Sequence, residues 1–141
     1  MKKTIIILLF VCALTLSLVS CGHEHEWSNA TYENPKMCQK CGETDGMSIK
    51  EMLLGEWKEE GRSSDSYIGI CFTNDGFTAD VVLNGEASGI FSAKGTVTVS
   101  GDIIHLINKD GSKYTYFTYT IDSNTISLSG EDGMKWTKLS I

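Results

Sequence analysis

The chain has 141 residues, of which 41% are apolar and 21% charged, and its formal net charge is −6. That length suits one modest domain with some additional chain. The acidic balance argues against nucleic acid as a partner, because nucleic-acid binding needs a clustered basic face. A single proline and 14 glycines exclude the collagen-like and proline-rich classes.

The first 20 residues have the pattern of an export signal. Lys2 and Lys3 precede an apolar run at residues 5–14, which is too short for a transmembrane helix. Residues 18–22, LVSCG, resemble the bacterial lipobox, in which a lipid-modified cysteine becomes the first mature residue. The resemblance implies a lipoprotein signal peptide at residues 1–20 and a covalent diacylglycerol at Cys21, whose palmitate-like chains would hold the protein on the extracytoplasmic face of a bacterial cell membrane. An ordinary cleaved signal peptide is the alternative.

Residues 21–47 are polar and cannot bury a core with their own apolar area. Cys38 and Cys41 form a C-x-x-C knuckle, and Gly42 after them allows a tight turn. His23 and His25 lie on the same side of an extended chain, because strand side chains repeat every two residues. Two thiolates and two imidazoles suit tetrahedral zinc, and four protein ligands leave no open position for catalysis, so we expect a structural zinc ion.

The same segment resembles a short motif of exported bacterial proteins that carries further cysteines. It matches that motif at His25, Trp27, Ala30, Thr31, Pro35, Lys36, Cys38, Cys41, Gly42, Thr44 and Gly46. Two cysteines of the motif are replaced by His23, which can still bind a metal, and by Tyr32, which does not supply such a ligand. A disulfide or a pair of free thiols is the alternative to zinc, and a thioredoxin-like role would need a βαβ unit that does not follow.

Residues 48–141 have the pattern of one all-β domain. Ser48 and Glu51 have the spacing of a capping box and open a short helical turn, which Gly55 is placed to end. After it the apolar period changes to two, and the segments are rich in Ile, Val, Thr, Tyr and Phe. The candidate strands are residues 56–60, 67–73, 77–83, 89–93, 95–100, 102–108, 114–121, 125–129 and 134–139.

The turns between these strands favour an antiparallel meander. They contain Asn, Asp and Gly, which supply the positive φ that tight hairpins require. No long amphipathic helix interrupts the strands, so parallel pairing is disfavoured. Sequential antiparallel strands leave exposed edges unless the sheet closes, and we therefore expect a small up-and-down barrel of about eight strands, with a two-sheet sandwich as the alternative.

Three short motifs of this domain resemble lipocalin-like domains of small bacterial lipoproteins: LLGEW at residues 53–57, FTNDG at 72–76 and MKWTKL at 134–139. The resemblance implies a barrel that binds a small apolar ligand. Lipocalins usually place an arginine of the last strand against the first tryptophan. The sole arginine here, Arg62, comes too early, so Lys135 or Lys138 would have to take that position.

Several side chains of the barrel are candidates for its end or its lining. Trp57 and Trp136 come from the first and last strands, and we expect them to seal one end as core, with ligand stacking as the alternative. His105 lies between apolar neighbours on both sides and is expected to be a core or lumen histidine. Cys71 is expected to be an inert buried thiol. One side of residues 114–119 should line the interior, and the pattern leaves open which side.

Three functions fit these features to different degrees. The first is a membrane-anchored extracytoplasmic lipoprotein whose barrel binds a small apolar ligand. The second is a structural or protein-interaction module of the cell envelope, with a filled barrel and a structural zinc site. An enzyme is the weakest interpretation, because the sequence has no nucleophile elbow, phosphate loop, carboxylate pair or open metal site.

Overall fold

The structure, a computed structural model, describes residues 23–63 and 65–139. The export signal and Cys21 lie outside these residues, so the lipid anchor stays a prediction. Within the described residues, no helix has the length and apolar character needed to cross a membrane.

A small N-terminal part precedes the barrel. Strands β1 (Lys36–Met37) and β2 (Thr44–Asp45) form a two-stranded antiparallel sheet, and α1 spans Ile49–Leu53. The predicted capping box is confirmed, because the Ser48 hydroxyl accepts from the Glu51 N–H at 3.2 Å while the Glu51 carboxylate accepts from the Ser48 N–H at 2.8 Å.

Eight antiparallel strands close into a barrel, which confirms the predicted all-β fold and the choice of barrel over sandwich. Each strand pairs with its neighbour along the chain, and the last one, β10, pairs with the first, β3. The strands are β3 (Gly55–Glu59), β4 (Ser66–Thr73), β5 (Gly76–Leu83), β6 (Glu86–Ser100), β7 (Ile103–Asn108), β8 (Lys113–Asp122), β9 (Thr125–Gly130) and β10 (Lys135–Lys138).

The prediction of separate strands at residues 89–93 and 95–100 was wrong, because both belong to the single strand β6. Gly95 lies inside this strand, at a position where β7 comes very close. A side chain larger than that of glycine does not fit there, because its Cβ atom would collide with the backbone oxygen of Ile107. The pairing with β5 is regular at residues 93–95, and the irregularity of β6 is a bulge that lies earlier in the strand. Asp80 pairs with Ser92 and Val82 with Ala87, so residues 88–91 of β6 lie opposite a single residue of β5.

Side chains fill the barrel interior along most of its length. The largest fully buried ones are Phe77, Phe117, Ile49, Leu53, Ile70, Ile104, Leu106 and Leu128. Helix α1 closes one end, where the Trp57 indole donates to the Leu53 carbonyl oxygen at 2.7 Å. Lys138 pairs with Trp57 in register and donates to the Met52 carbonyl oxygen at 3.2 Å. Of the two lysines proposed to replace the lipocalin arginine, Lys138 therefore lies opposite the tryptophan.

Candidate metal centre

A tight turn presents the two cysteines of the knuckle on one side. The Cys38 N–H donates to the Glu43 carbonyl oxygen at 2.7 Å, and the Gly42 N–H donates to the Cys38 carbonyl oxygen at 2.8 Å. Gly42 has a φ of 76°, a left-handed conformation in which a side chain is strained. The positive φ of the backbone therefore explains why a glycine follows the second cysteine, as the sequence predicted.

The histidines reach this turn because an extended chain runs beside it. Trp27 forms an antiparallel bridge with Cys38, and the Gln39 N–H donates to the Glu26 carbonyl oxygen at 2.9 Å. These backbone contacts align two segments that are separated by the intervening loop. His23 and His25 alternate with Glu24 and consequently face the knuckle together.

The four predicted ligands come together with separations that suit one metal ion. One ligand atom from each of His23, His25, Cys38 and Cys41 lies within 4.8 Å of all the others. His23 Nε2 is 3.5 Å from Cys38 Sγ, and His25 Nδ1 is 3.7 Å from Cys41 Sγ. In a tetrahedral zinc site with Zn–S about 2.3 Å and Zn–N about 2.0 Å, sulfur and nitrogen ligands lie roughly 3.5 Å apart. The donor set and its spacing therefore fit zinc.

The surroundings of Cys38 favour the thiolate, which is the form that binds metals. Cys38 is 1% exposed, and its burial raises the thiol pKa. Hydrogen bonds from His23, from the backbone N–H groups of Cys41 and Lys40, and from His25 outweigh burial and lower the pKa to about 5. Cys38, Cys41 and the third described cysteine, Cys71, are not in disulfides.

Neighbouring groups also orient His25. Its Nε2 lies 3.6 Å from a carboxylate oxygen of Glu43, on the ring edge opposite the nitrogen that faces Cys41. The imidazole stacks on Trp27 with a centroid distance of 4.9 Å and an interplanar angle of 11°. A carboxylate behind a ligating imidazole is a frequent arrangement around protein metals, because it fixes the ring orientation.

The ligand segment, residues 23–47, carries the His/Cys group (His23, His25, Cys38 and Cys41) and is attached to the barrel at the end that α1 closes. The N–H groups of Ile49 and Lys50 donate to the carbonyl oxygens of Thr31 and Tyr32, each at 3.0 Å. These bonds satisfy donors of the first helical turn that have no partner within a helix. Tyr32 packs against the barrel core, and burial followed by the charge of Glu33 raises its pKa. The tyrosine that replaces a motif cysteine thus contributes packing instead of a ligand.

The other candidate residues lie in different parts of the barrel. Trp57 is buried core, as expected, and the half-buried Trp136 packs edge-on against Phe117 at a centroid distance of 5.1 Å. His105 lies on the outer face, because its neighbours Ile104 and Leu106 are fully buried. The expectation that His105 is a core or lumen histidine was therefore wrong. Alternation along β7 permitted either face, and Ile104 and Leu106 occupy the interior.

The side of β8 that faces inward contains Phe117, which is 1% exposed. Tyr116 faces outward beneath the Lys113 ammonium, which lies 4.3 Å from its ring centroid. Tyr114 nevertheless packs against Phe77, with centroids 5.4 Å apart, because an irregularity in the β7–β8 register adds a residue there. Cys71, expected to be buried, is partly exposed on the outer face.

The open end of the barrel contains a cavity of about 420 Å³ that the sequence analysis did not predict. Phe117, Trp136 and Ile68 supply its apolar lining, and Glu59 and Arg62 supply charge. Glu59 is 6% exposed and accepts a hydrogen bond from Arg62 Nε at 2.7 Å. The sequence did contain one indication that Glu59 lines the interior. Glu59 comes two residues after Trp57, and strand alternation places both side chains on the inner face of β3.

Comparisons with known proteins found no match for this chain. No protein-family model, curated protein or solved structure matches the chain. The fold and the His/Cys group are accordingly interpreted from the geometry of this chain alone.

Proposed function

We propose that the protein is a lipid-anchored module of the bacterial cell envelope, with a structural zinc site between the anchor and a filled, lipocalin-like barrel. The observation that supports the zinc site is the spacing of the two imidazole–thiol pairs, 3.5 and 3.7 Å. All four ligands would come from the protein, and zinc bound in this way stabilises a fold without activating water. The proposed role is non-catalytic.

The position of the zinc site supports a mechanical role. Cys21, the proposed site of the diacylglycerol, precedes the first ligand His23 by two residues. The ligand segment bonds to the first turn of α1, which in turn closes the barrel. A zinc ion in the His/Cys group would therefore hold the barrel at a short, fixed distance from the lipid anchor. The exposed barrel surface would be available to other envelope proteins.

The zinc proposal is tested by metal analysis of the purified full chain. We expect one zinc per chain, with Cys38 and Cys41 protected from alkylation until a chelator is added. Cys38→Ser should abolish stoichiometric zinc. Cys71→Ser is the matched control, because Cys71 lies in β4 outside the His/Cys group. Metal-free protein with Cys38 and Cys41 oxidised to a disulfide would contradict the proposal.

The anchor proposal has a separate test in the bacterial host. Cys21→Ala should move the protein from the membrane fraction to the soluble extracytoplasmic fraction. Cys12→Ala is the control, because that cysteine belongs to the predicted signal peptide and should not affect partitioning. Unchanged membrane association of the Cys21→Ala protein would refute lipidation at this residue.

The cavity at the open end favours a second candidate function, the binding of a small apolar ligand. Its volume of about 420 Å³ falls in the range of small-molecule sites, roughly 300–1,000 Å³. Native mass spectrometry of protein purified from its host tests this function. A co-purifying small molecule that is lost in Trp136→Ala supports ligand binding, whereas repeated empty spectra favour the interaction role.

A further inference from the structure

The two cysteine sulfurs of the His/Cys group differ in their access to solvent. Cys38 is buried, with 1% of its surface exposed, whereas Cys41 is exposed at the other end of the same tight turn. His23 and His25 are each partly exposed. A small oxidant in solution can therefore reach the group from the side of Cys41 while the chain stays folded.

Backbone contacts of the turn hold the two cysteines close together. The Gly42 N–H donates to the Cys38 carbonyl oxygen at 2.8 Å, and the Cys38 N–H donates to the Glu43 carbonyl oxygen at 2.7 Å. These bonds do not involve the ligand atoms, so they do not depend on a metal ion. The two Sγ atoms lie within 4.8 Å of each other. Because the sulfurs of a disulfide are about 2.05 Å apart, we expect rotation of the exposed Cys41 side chain to bring them together.

Metal binding keeps both sulfurs in their reactive form. A cysteine binds zinc as the thiolate, and the thiolate is also the form that peroxides oxidise. A thiolate that is accessible to solvent and lies beside a second cysteine is typical of redox-sensitive sites. Cys71 provides a contrast, because it is partly exposed in β4 and lies outside the His/Cys group. The reactive pair is therefore Cys38 and Cys41.

We propose that Cys41 is a site of oxidation by hydrogen peroxide, and that Cys38 then closes a Cys38–Cys41 disulfide that releases the zinc ion. This modification depends on the proposed zinc site, which it would regulate. The same two cysteines serve both states, first as zinc ligands and then as a disulfide. The predicted extracytoplasmic location permits such a disulfide to persist.

The chemistry takes place in two steps and consumes one molecule of hydrogen peroxide. The Cys41 thiolate attacks one peroxide oxygen, the O–O bond breaks, and the products are the Cys41 sulfenic acid and a hydroxide ion. The Cys38 thiolate then attacks the Cys41 sulfur, so that the S–S bond forms while the S–O bond breaks and a second hydroxide ion leaves. The two sulfurs together lose two electrons, which the peroxide gains, and the two hydroxide ions take up two protons to become water.

The disulfide removes two of the four zinc ligands. His23 and His25 remain, and two imidazoles supply only half of a tetrahedral protein site. The zinc ion therefore leaves, and the histidines lose their metal connection to the turn. Because His23 and His25 lie between the predicted anchor at Cys21 and the barrel, oxidation would loosen the connection between the barrel and the membrane.

The test treats the zinc-loaded full chain with hydrogen peroxide in the presence of dimedone, which labels sulfenic acids. We expect one zinc ion to be released for each Cys38–Cys41 disulfide, as measured with a metal-binding dye and by peptide mass spectrometry, and zinc to bind again after reduction. Early dimedone adducts should lie on Cys41. In Cys38→Ser, which cannot close the disulfide, the Cys41 adduct should increase about tenfold. Cys71→Ser is the matched control and should release zinc as the unmodified chain does.

The contrary outcomes separate the peroxide reaction from the zinc site. If zinc stays bound and both cysteines stay reduced at a peroxide concentration that oxidises a free cysteine peptide, the peroxide reaction is refuted and the zinc site stands. Early adducts on Cys38, or a Cys41 sulfinic acid formed without the disulfide, overturn the proposed order of steps. A reduced chain that binds no added zinc refutes the zinc site, and the proposed regulation with it.

Discussion

If the proposed zinc ion is bound, its removal is expected to lower the stability of the barrel as well as that of the ligand segment. Zinc is withdrawn from the full chain with a chelator, and in parallel Cys38→Ser prevents its binding. Without the ion, the polar segment that contains His23 and His25 has little apolar area to keep it ordered. Its release would remove the contacts that it makes with the first turn of α1.

The expected magnitude follows from those contacts. Two backbone hydrogen bonds, from Ile49 and Lys50 to the carbonyl oxygens of Thr31 and Tyr32, would be lost. Each contributes about 1 kcal/mol. Loss of the partly buried Tyr32 from the core adds about 1 kcal/mol more. The free energy of unfolding should thus fall by about 3 kcal/mol. At ~4–8 °C per kcal/mol for a domain of this size, the melting temperature should fall by roughly 10–25 °C.

The assay combines two probes that report on different parts of the chain. Differential scanning calorimetry follows the unfolding of the barrel, and the difference in fluorescence between the full chain and its Trp27→Phe variant follows Trp27, which stacks on His25. Cys71→Ser is the control. We expect this variant to bind zinc and to lose as much stability as the unmodified chain when zinc is removed. If zinc leaves completely and the barrel transition shifts by less than about 2 °C, the segment and the barrel are energetically independent and the reasoning is refuted.

Three further predictions concern the barrel. Gly95→Ala should destabilise the protein by about 3 kcal/mol in urea unfolding, because the new Cβ collides with the Ile107 carbonyl oxygen; a neutral result would contradict the close strand approach. Trp57→Phe should cost about 1–3 kcal/mol in the same assay, since it leaves a buried carbonyl oxygen of α1 without its donor, and an unchanged midpoint would argue against that bond. Burial and the hydrogen bond and charge of Glu56 raise the pKa of Tyr67, so tyrosinate absorbance should show Glu56→Gln lowering it toward 10.0. Because the folded-state pKa of Tyr67 lies above the unfolded value, its contribution to stability is full below about pH 10 and is lost as pH rises through the raised pKa.

Local patterns predicted the elements of the fold well where backbone chemistry decides them. The capping box at Ser48 and the strand alternation depend on neighbours a few residues apart, and both are confirmed. The knuckle at Cys38 and Cys41 is also local, since its turn closes within five residues of sequence. The division of β6 into two strands was wrong because a glycine such as Gly95 usually indicates a strand boundary. Here the glycine lies inside the strand, and its lack of a side chain allows β7 to pack closely against it.

The functional geometry was less predictable, because it depends on partners that are distant in sequence. Alternation shows that His105 and Ile104 face opposite ways, but only packing against the other strands decides which one is inside. Glu59 becomes a lining residue of the open end only once the sheet has curved. No short motif marks this acid.

By itself, the sequence determined that this chain is an all-β domain preceded by a His/Cys segment with the donors for zinc. Side-chain periodicity, turn residues and ligand chemistry are local properties, and they remain the same in any arrangement of the strands. The tertiary structure alone decided that β10 closes on β3, that the ligand segment bonds to α1, and that Glu59 lines the open end of the barrel. These features come from long-range register and burial, in which each strand gains its partner and its inner face only from the closed barrel.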